Sequence, residues 1–94
     1  MEAHKEKFIR ELTNKDTNVC VSGMVILKNP GSFVIDDGTG QMQINFDKEI
    51  KGDYVKVFGR SIPYESGIQV SALIVQDISK IDKVLYNKIK ELVR

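Results

Sequence analysis

The chain has 94 residues, with 14 basic and 13 acidic side chains for a formal net charge of +1. A single cysteine, Cys20, and a single histidine, His4, exclude an intrachain disulfide framework and leave a soft-ligand zinc site without ligands. No apolar run approaches the ~20 residues of a membrane span and no signal-peptide pattern opens the sequence, so a cytoplasmic, nucleoid-associated protein is expected.

In chain order, residues 2–13 predict a short helix, with Phe8, Ile9 and Leu12 on one side and Asn14-Lys15-Asp16 ending it. Residues 19–28 predict a long strand in which Val19, Val21, Gly23, Val25 and Leu27 share a face. Gly23 in mid-strand marks a bend or a close backbone approach. After the Asn29-Pro30-Gly31-Ser32 turn comes the most informative stretch. Phe33 and Ile35 alternate with Val34 and Asp36, and Met42, Ile44 and Phe46 alternate with Gln41, Gln43 and Asn45. That period of two is a hairpin with one core face and one open, amide-rich face. Asp37-Gly38-Thr39-Gly40 closes it, with both glycines expected at positive φ.

A polar connection over 47–53 leads to a fourth strand at 54–61, again with a late glycine, Gly59. A loop over 62–67 carries Pro63 and Tyr64, and a fifth strand follows at 68–75. The final segment changes period: Ile78, Ile81, Leu85, Ile89 and Leu92 recur at steps of three and four, as on one face of a helix. Ser79 with Asp82 reads as its capping box.

Five short strands, glycines inside two of them and a helix at each end predict a five-stranded Greek-key barrel with flanking helices. The expected organisation is one domain over residues 1–94, with an N-terminal helix in 1–17, the barrel in 18–77 and an assembly helix in 78–94. Residues 18–77 carry five basic and seven acidic groups, and residues 78–94 five basic and two acidic. The body is therefore mildly acidic and the tail basic, which weighs against strong stand-alone binding to nucleic acid.

Val19-x-Val-x-Gly23-x-Val, Ile35-Asp36-Asp37-Gly38-Thr39-Gly40 and Gly52-Asp53-x-Val-x-Val-x-Gly59-Arg60 together resemble the anticodon-binding/replication-protein-A branch of the oligonucleotide/oligosaccharide-binding (OB) fold. The likeness spans about residues 18–94 and is nearest to the middle-subunit barrel of replication protein A and its archaeal relatives. The resemblance implies that Tyr64 matches an aromatic that stacks on a DNA base, and that the segment from Ile78 to Val93 matches a helix that assembles subunits. The family's usual second stacking aromatic, at the end of the third strand, is absent, because alternation turns Phe46 toward the core and leaves Asn45 or Asp47 in the groove.

The candidate nucleic-acid contacts are then Tyr64, Lys28, Lys56, Arg60, Gln41, Gln43 and Asn45. Lys56 and Arg60 alternate with Val55, Val57 and Gly59 and so point away from the core. Amides at these positions either bond base edges or are simply solvated, and Asp36-Asp37 reads as turn capping rather than a metal pair. The candidate interface is Ile78, Ile81, Leu85, Ile89 and Leu92, with its proximal end closing the barrel and its distal end meeting another subunit. No catalytic set and no cofactor motif is present, so no enzyme is expected. The expected role is a single-stranded DNA-binding subunit, weak alone, that pairs with a larger OB-fold subunit or with itself. The alternatives are a protein-interaction scaffold that touches no nucleic acid, and a tRNA-binding module that takes RNA.

Overall fold

The computed structural model describes residues 5–13, 15–64 and 67–92. The strands are β1 (Asn18–Asn29), β2 (Ser32–Asp36), β3 (Gln41–Asn45), β4 (Tyr54–Tyr64) and β5 (Gly67–Asp77), followed by one helix, α1 (Lys83–Leu92). They close in the order β1-β2-β3-β5-β4, with β4 returning to β1. Every pairing is antiparallel except the short parallel contact of β3 with β5. This is the OB-fold barrel that the strand pattern predicts.

Alternation sets the core. Val19, Val21, Phe33, Ile35, Met42, Ile44, Val55, Val57 and Val70 all turn inward and are buried, with Val25, Phe46 and Ala72 packed partly against them. Closure requires tight corners. A Cβ on Gly23 would stand 2.8 Å from the Asp36 carbonyl oxygen, and one on Gly59 would collide with the Ser71 carbonyl. Gly59 also faces the irregularity in β5, where Leu73 is skipped and the register against β4 shifts. Both positions therefore need a residue without a side chain.

Three expectations are corrected. The N-terminal helix is absent from the described residues: Ile9–Glu11 is a single 3-10 turn. Before it, Glu6 bridges Cys20 of β1 in parallel, and the Lys7 N–H donates to the Cys20 carbonyl at 3.0 Å. A dozen residues make a marginal helix in water. The extended path instead buries the neighbours Phe8 and Ile9 at once and gives the backbone a strand to pair with. The hairpin turn caps this segment: Asp37 Oδ2 accepts from the Ile9 N–H at 2.7 Å and Thr39 Oγ1 from the Arg10 N–H at 3.2 Å.

Second, of Gly38 and Gly40 in the β2–β3 turn, only Gly38 has a positive φ, of 87°. Asp37 Oδ1 accepts from the Thr39 N–H and hydroxyl, as a turn-capping aspartate should. Gly40 is small for another reason: a Cβ there would press on Ile9 Cγ2 at 3.2 Å.

Third, the last helix is shorter and starts later than its period suggests. Asp82, not Ser79, is its cap, with Oδ1 accepting from the Val84 and Leu85 N–H groups at 3.0 and 3.1 Å. Ser79 ties the strand end instead, its hydroxyl accepting from the Asp53 and Tyr54 N–H groups and donating to Asp77. No helix among the described residues is long and apolar enough to cross a membrane.

Candidate nucleic-acid interface and assembly face

The outward side chains of β2, β3, β5 and the far half of β4 form one surface. Register aligns Ser32 with Asn45, Asn45 with Ser71 and Ser71 with Arg60, in a row across four strands. The next row brings Leu27 beside Val34, Val34 beside Gln43, and Gln69 beside Ile62. Gln43, Tyr64, Gly67, Ile68 and Gln69 line a hollow of about 250 Å³ at the end of the β4–β5 hairpin. Tyr64 is exposed and flanks a second hollow with Leu12, Thr13 and Pro63. Of the candidate contacts, the fold thus gathers Tyr64, Arg60, Gln43 and Asn45 on one face. Gln41 stands at its edge, donating to Asp36 Oδ2 at 3.3 Å.

The amides are not independent. The Gln43 side-chain N–H donates to Asn45 Oδ1 at 3.2 Å, and the Asn45 amide donates to Gln69 Oε1 at 3.1 Å. Gln69 was not among the residues singled out from sequence. Its position directly before the buried Val70 would have placed it on the outward face by alternation.

Two lysines lie elsewhere. Lys28 pairs in register with the core residue Phe33, so it faces the barrel mouth rather than the groove. There it lines a hollow of about 320 Å³ with Phe33, Phe46, Lys48 and Ile50. Lys56 lies between Ser22 and Gln76 on the outer face of β1, β4 and β5, where the N-terminal segment and α1 pack. Its ammonium stands 3.5 Å from Glu6 Oε1 and over the rings of Phe58 and Tyr86 at 5.4 and 5.9 Å. Alternation correctly turned Lys56 away from the core, but it could not show that chain segments distant in sequence cover that face.

Glu6 is the hub of this second region. Its Oε1 accepts from the Tyr86 hydroxyl at 2.6 Å, and its Oε2 accepts from the Ser22 hydroxyl at 2.8 Å. Lys90 is 4 % exposed, and its Nζ lies 3.3 Å from Oε2, in ion-pair range without the alignment of a hydrogen bond. The same ammonium sits 4.4 Å from the Phe8 ring centroid. Burial pushes the Glu6 carboxyl upward, but the hydrogen bonds from Tyr86 and Ser22 and the charges of Lys90 and Lys56 outweigh it and hold the pKa below its ordinary value. Burial and the bond to Glu6 push the Tyr86 phenol up. Cys20, beneath this cluster, is buried and raised to about 11, chiefly by desolvation.

These contacts fix which way α1 faces. Lys83 lies over the Tyr54 ring at 5.0 Å, Asn87 lines a hollow with Tyr54, and Tyr86 and Lys90 reach Glu6. Positions 83, 86, 87 and 90 make one helical stripe, and it is the polar one. The apolar stripe is turned outward: Ile81, Val84, Leu85, Ile89 and Leu92 are all exposed, Val84 to 71 % and Leu92 to 82 %. Ile78, at the proximal end expected to close the barrel, is buried, and its N–H donates to the Tyr54 carbonyl at 2.9 Å, whereas Ile81, expected beside it, is exposed. The proximal end of the segment is therefore held by the barrel itself.

No family model matches the sequence, and no curated protein does. Solved structures do. A chain of the S. pombe Stn1-ten1 complex superimposes with a TM-score of 0.77 at 19 % identity, covering 97 % of this chain and 91 % of that one. The telomere capping protein Ten1 from S. pombe gives a TM-score of 0.77 at 19 % identity, covering 96 % of both chains. A chain of a replication protein A heterotrimer bound to ssDNA gives 0.57 at 23 % identity, over 79 % of this chain and 67 % of that one. At these identities the likeness establishes a shared fold.

Proposed function

We propose that this chain is a single-stranded DNA-binding OB-fold subunit that binds weakly alone and assembles through α1. The observation that carries the reading is the orientation of that helix. An amphipathic helix ordinarily buries its apolar face, whereas α1 rests on its polar face and leaves Val84, Leu85, Ile89 and Leu92 in water, beside the exposed Ile81 that precedes it. A fully buried aliphatic side chain contributes ~1.5–3 kcal/mol, so covering even part of this stripe is strongly favourable. In isolation a second copy covers it, helix against helix. In the cell the partner is a larger OB-fold subunit. The fold neighbours support this, since two of them are described as parts of multi-subunit assemblies, the Stn1-ten1 complex and a replication protein A heterotrimer.

The groove supplies the second half of the proposal. Tyr64 is an exposed aromatic platform, Arg60 a cation in the same surface, and the amides between them offer hydrogen bonds to bases. Stacking contributes ~1–3 kcal/mol per base, and one platform with one cation makes binding micromolar or weaker. The placement of Lys56 on the α1-covered face, paired with Glu6, favours the scaffold reading, because the groove lacks that expected phosphate contact. An anisotropy titration of the purified chain with fluorescein-labelled oligo-dT at 20 and 200 mM salt decides between them. Binding that weakens with salt and is lost in Tyr64→Ala supports the DNA reading. The absence of binding at low salt leaves the scaffold.

A further inference from the structure

We propose that the Tyr64 hollow is a single-base pocket in which Gln69 and Gln43 read the edge of an unpaired nucleobase, with Asn45 as the positioning residue that fixes which atoms they present. The proposal rests on the DNA-binding reading above and goes beyond it, by making that binding base-selective.

The argument starts from the direction of the amide chain. Asn45 accepts from Gln43 through Oδ1 and donates to Gln69 through its amide nitrogen. Only a side chain that carries both an acceptor and a donor can make this bridge, and asparagine does so here from the central strand of the face. Its consequence lies at the two ends. With Gln43 engaged through its nitrogen, the Gln43 carbonyl oxygen is left as an acceptor. With Gln69 engaged through its oxygen, the Gln69 amide nitrogen is left as a donor. Both side chains line the same hollow as Tyr64, together with Gly67 and Ile68. A base stacked on the tyrosine ring would therefore meet one fixed acceptor and one fixed donor. Nucleobase edges differ in how donors and acceptors are placed, so a fixed pair of partners discriminates among them where freely rotating amides would not. Gly67, at φ 141° with open space where a Cβ would stand, keeps the wall of the hollow low on the hairpin side.

The test compares base preference rather than affinity alone. Labelled 12-mers of dT, dC and dA are titrated against the wild-type chain, and dT strands with one abasic site at successive positions are titrated alongside. A good two-point contact is expected to separate the preferred from the poorest base by about 5- to 10-fold. Gln69→Ala should shrink that spread to within about twofold while leaving the salt dependence unchanged, since no cation is lost. Asn45→Ala should shrink it as well, because both glutamines then lose the bond that orients them. Asn45→Asp is the sharper variant. A carboxylate still accepts from Gln43 but cannot donate to Gln69, so Gln69 must rotate to donate, presenting its oxygen to the hollow. The order of base preference should then change, whatever the added charge does to overall affinity. A reordered preference is something a purely structural role for Asn45 would not produce. Equal binding of all three bases by the wild type, or an equal loss for all three in Gln69→Ala, overturns the proposal while leaving DNA binding intact. No binding by the wild type at low salt overturns both.

Discussion

Replacing Glu6 by glutamine should detach α1 without unfolding the barrel. Glu6 accepts two short hydrogen bonds and faces two ammonium groups, at 3.3 and 3.5 Å. Glutamine keeps one acceptor and loses the charge, so Lys90 is left at 4 % exposure with no counter-ion. Removing one partner of a fully buried pair costs about 3–5 kcal/mol. The Glu6 and Lys56 side chains are 17 % and 26 % exposed, so water shares part of the load and the cost falls to roughly 2–3 kcal/mol. Undocking a ten-residue helix releases Lys90 into solvent and relieves that penalty locally. At about 1.4 kcal/mol per factor of ten, amide exchange in α1 should accelerate roughly 30- to 140-fold, with the β1–β5 amides unchanged. Hydrogen-exchange mass spectrometry of the Glu6→Gln chain against the wild type reads both regions at once. Unchanged exchange in α1 would refute the reasoning, and so would an equal loss of protection throughout the barrel.

The remaining expectations concern the same two regions. The depressed Glu6 pKa means that its contribution is complete above the ordinary value of 4.5 and is lost as pH falls through the lower folded value. Docking of α1, followed by helix circular dichroism, should therefore be flat from pH 5 to 8 and weaken only as pH falls below the ordinary value of 4.5. Buried Cys20, with its thiol raised to about 11, should resist thiol reagents at pH 8 in the native chain and react faster once α1 lifts off in Glu6→Gln. Gly23→Ala should lower stability by about 1–3 kcal/mol in urea unfolding, since its Cβ would stand 2.8 Å from a backbone oxygen that cannot move aside. Tyr64→Ala should weaken oligonucleotide binding by about 1–3 kcal/mol, and an unchanged affinity would remove Tyr64 from the site.

The barrel was legible because its signals are local. Strict alternation at Phe33, Ile35, Met42 and Ile44 names the inward face, and Gly23 and Gly59 mark corners where backbones touch. The N-terminal segment misled because Phe8, Ile9 and Leu12 suit a helical face as well as an extended path. What decided between them was pairing with Cys20 and capping by Asp37, contacts that span 14 and 28 positions. The Glu6 cluster was illegible for the same reason: Tyr86 lies 80 positions away and nothing in either segment announces the other. The helical stripe itself could be read from its period. That its apolar side faces outward could not, because the polar anchors Lys83, Tyr86, Asn87 and Lys90 look like an ordinary solvated face until the Glu6 carboxylate and the Tyr54 ring are beneath them.

Assembly through α1 requires its apolar stripe to meet a partner. Sedimentation velocity of the purified chain over a hundredfold concentration range, beside a Leu85→Glu/Ile89→Glu double variant, tests it most directly. Both positions are exposed, so the substitutions leave the barrel core untouched. The wild-type species should grow beyond the 10.6 kDa monomer as concentration rises, while the variant stays folded and monomeric throughout. A wild-type chain that remains monomeric at the highest concentration, indistinguishable from the variant, would contradict assembly through α1.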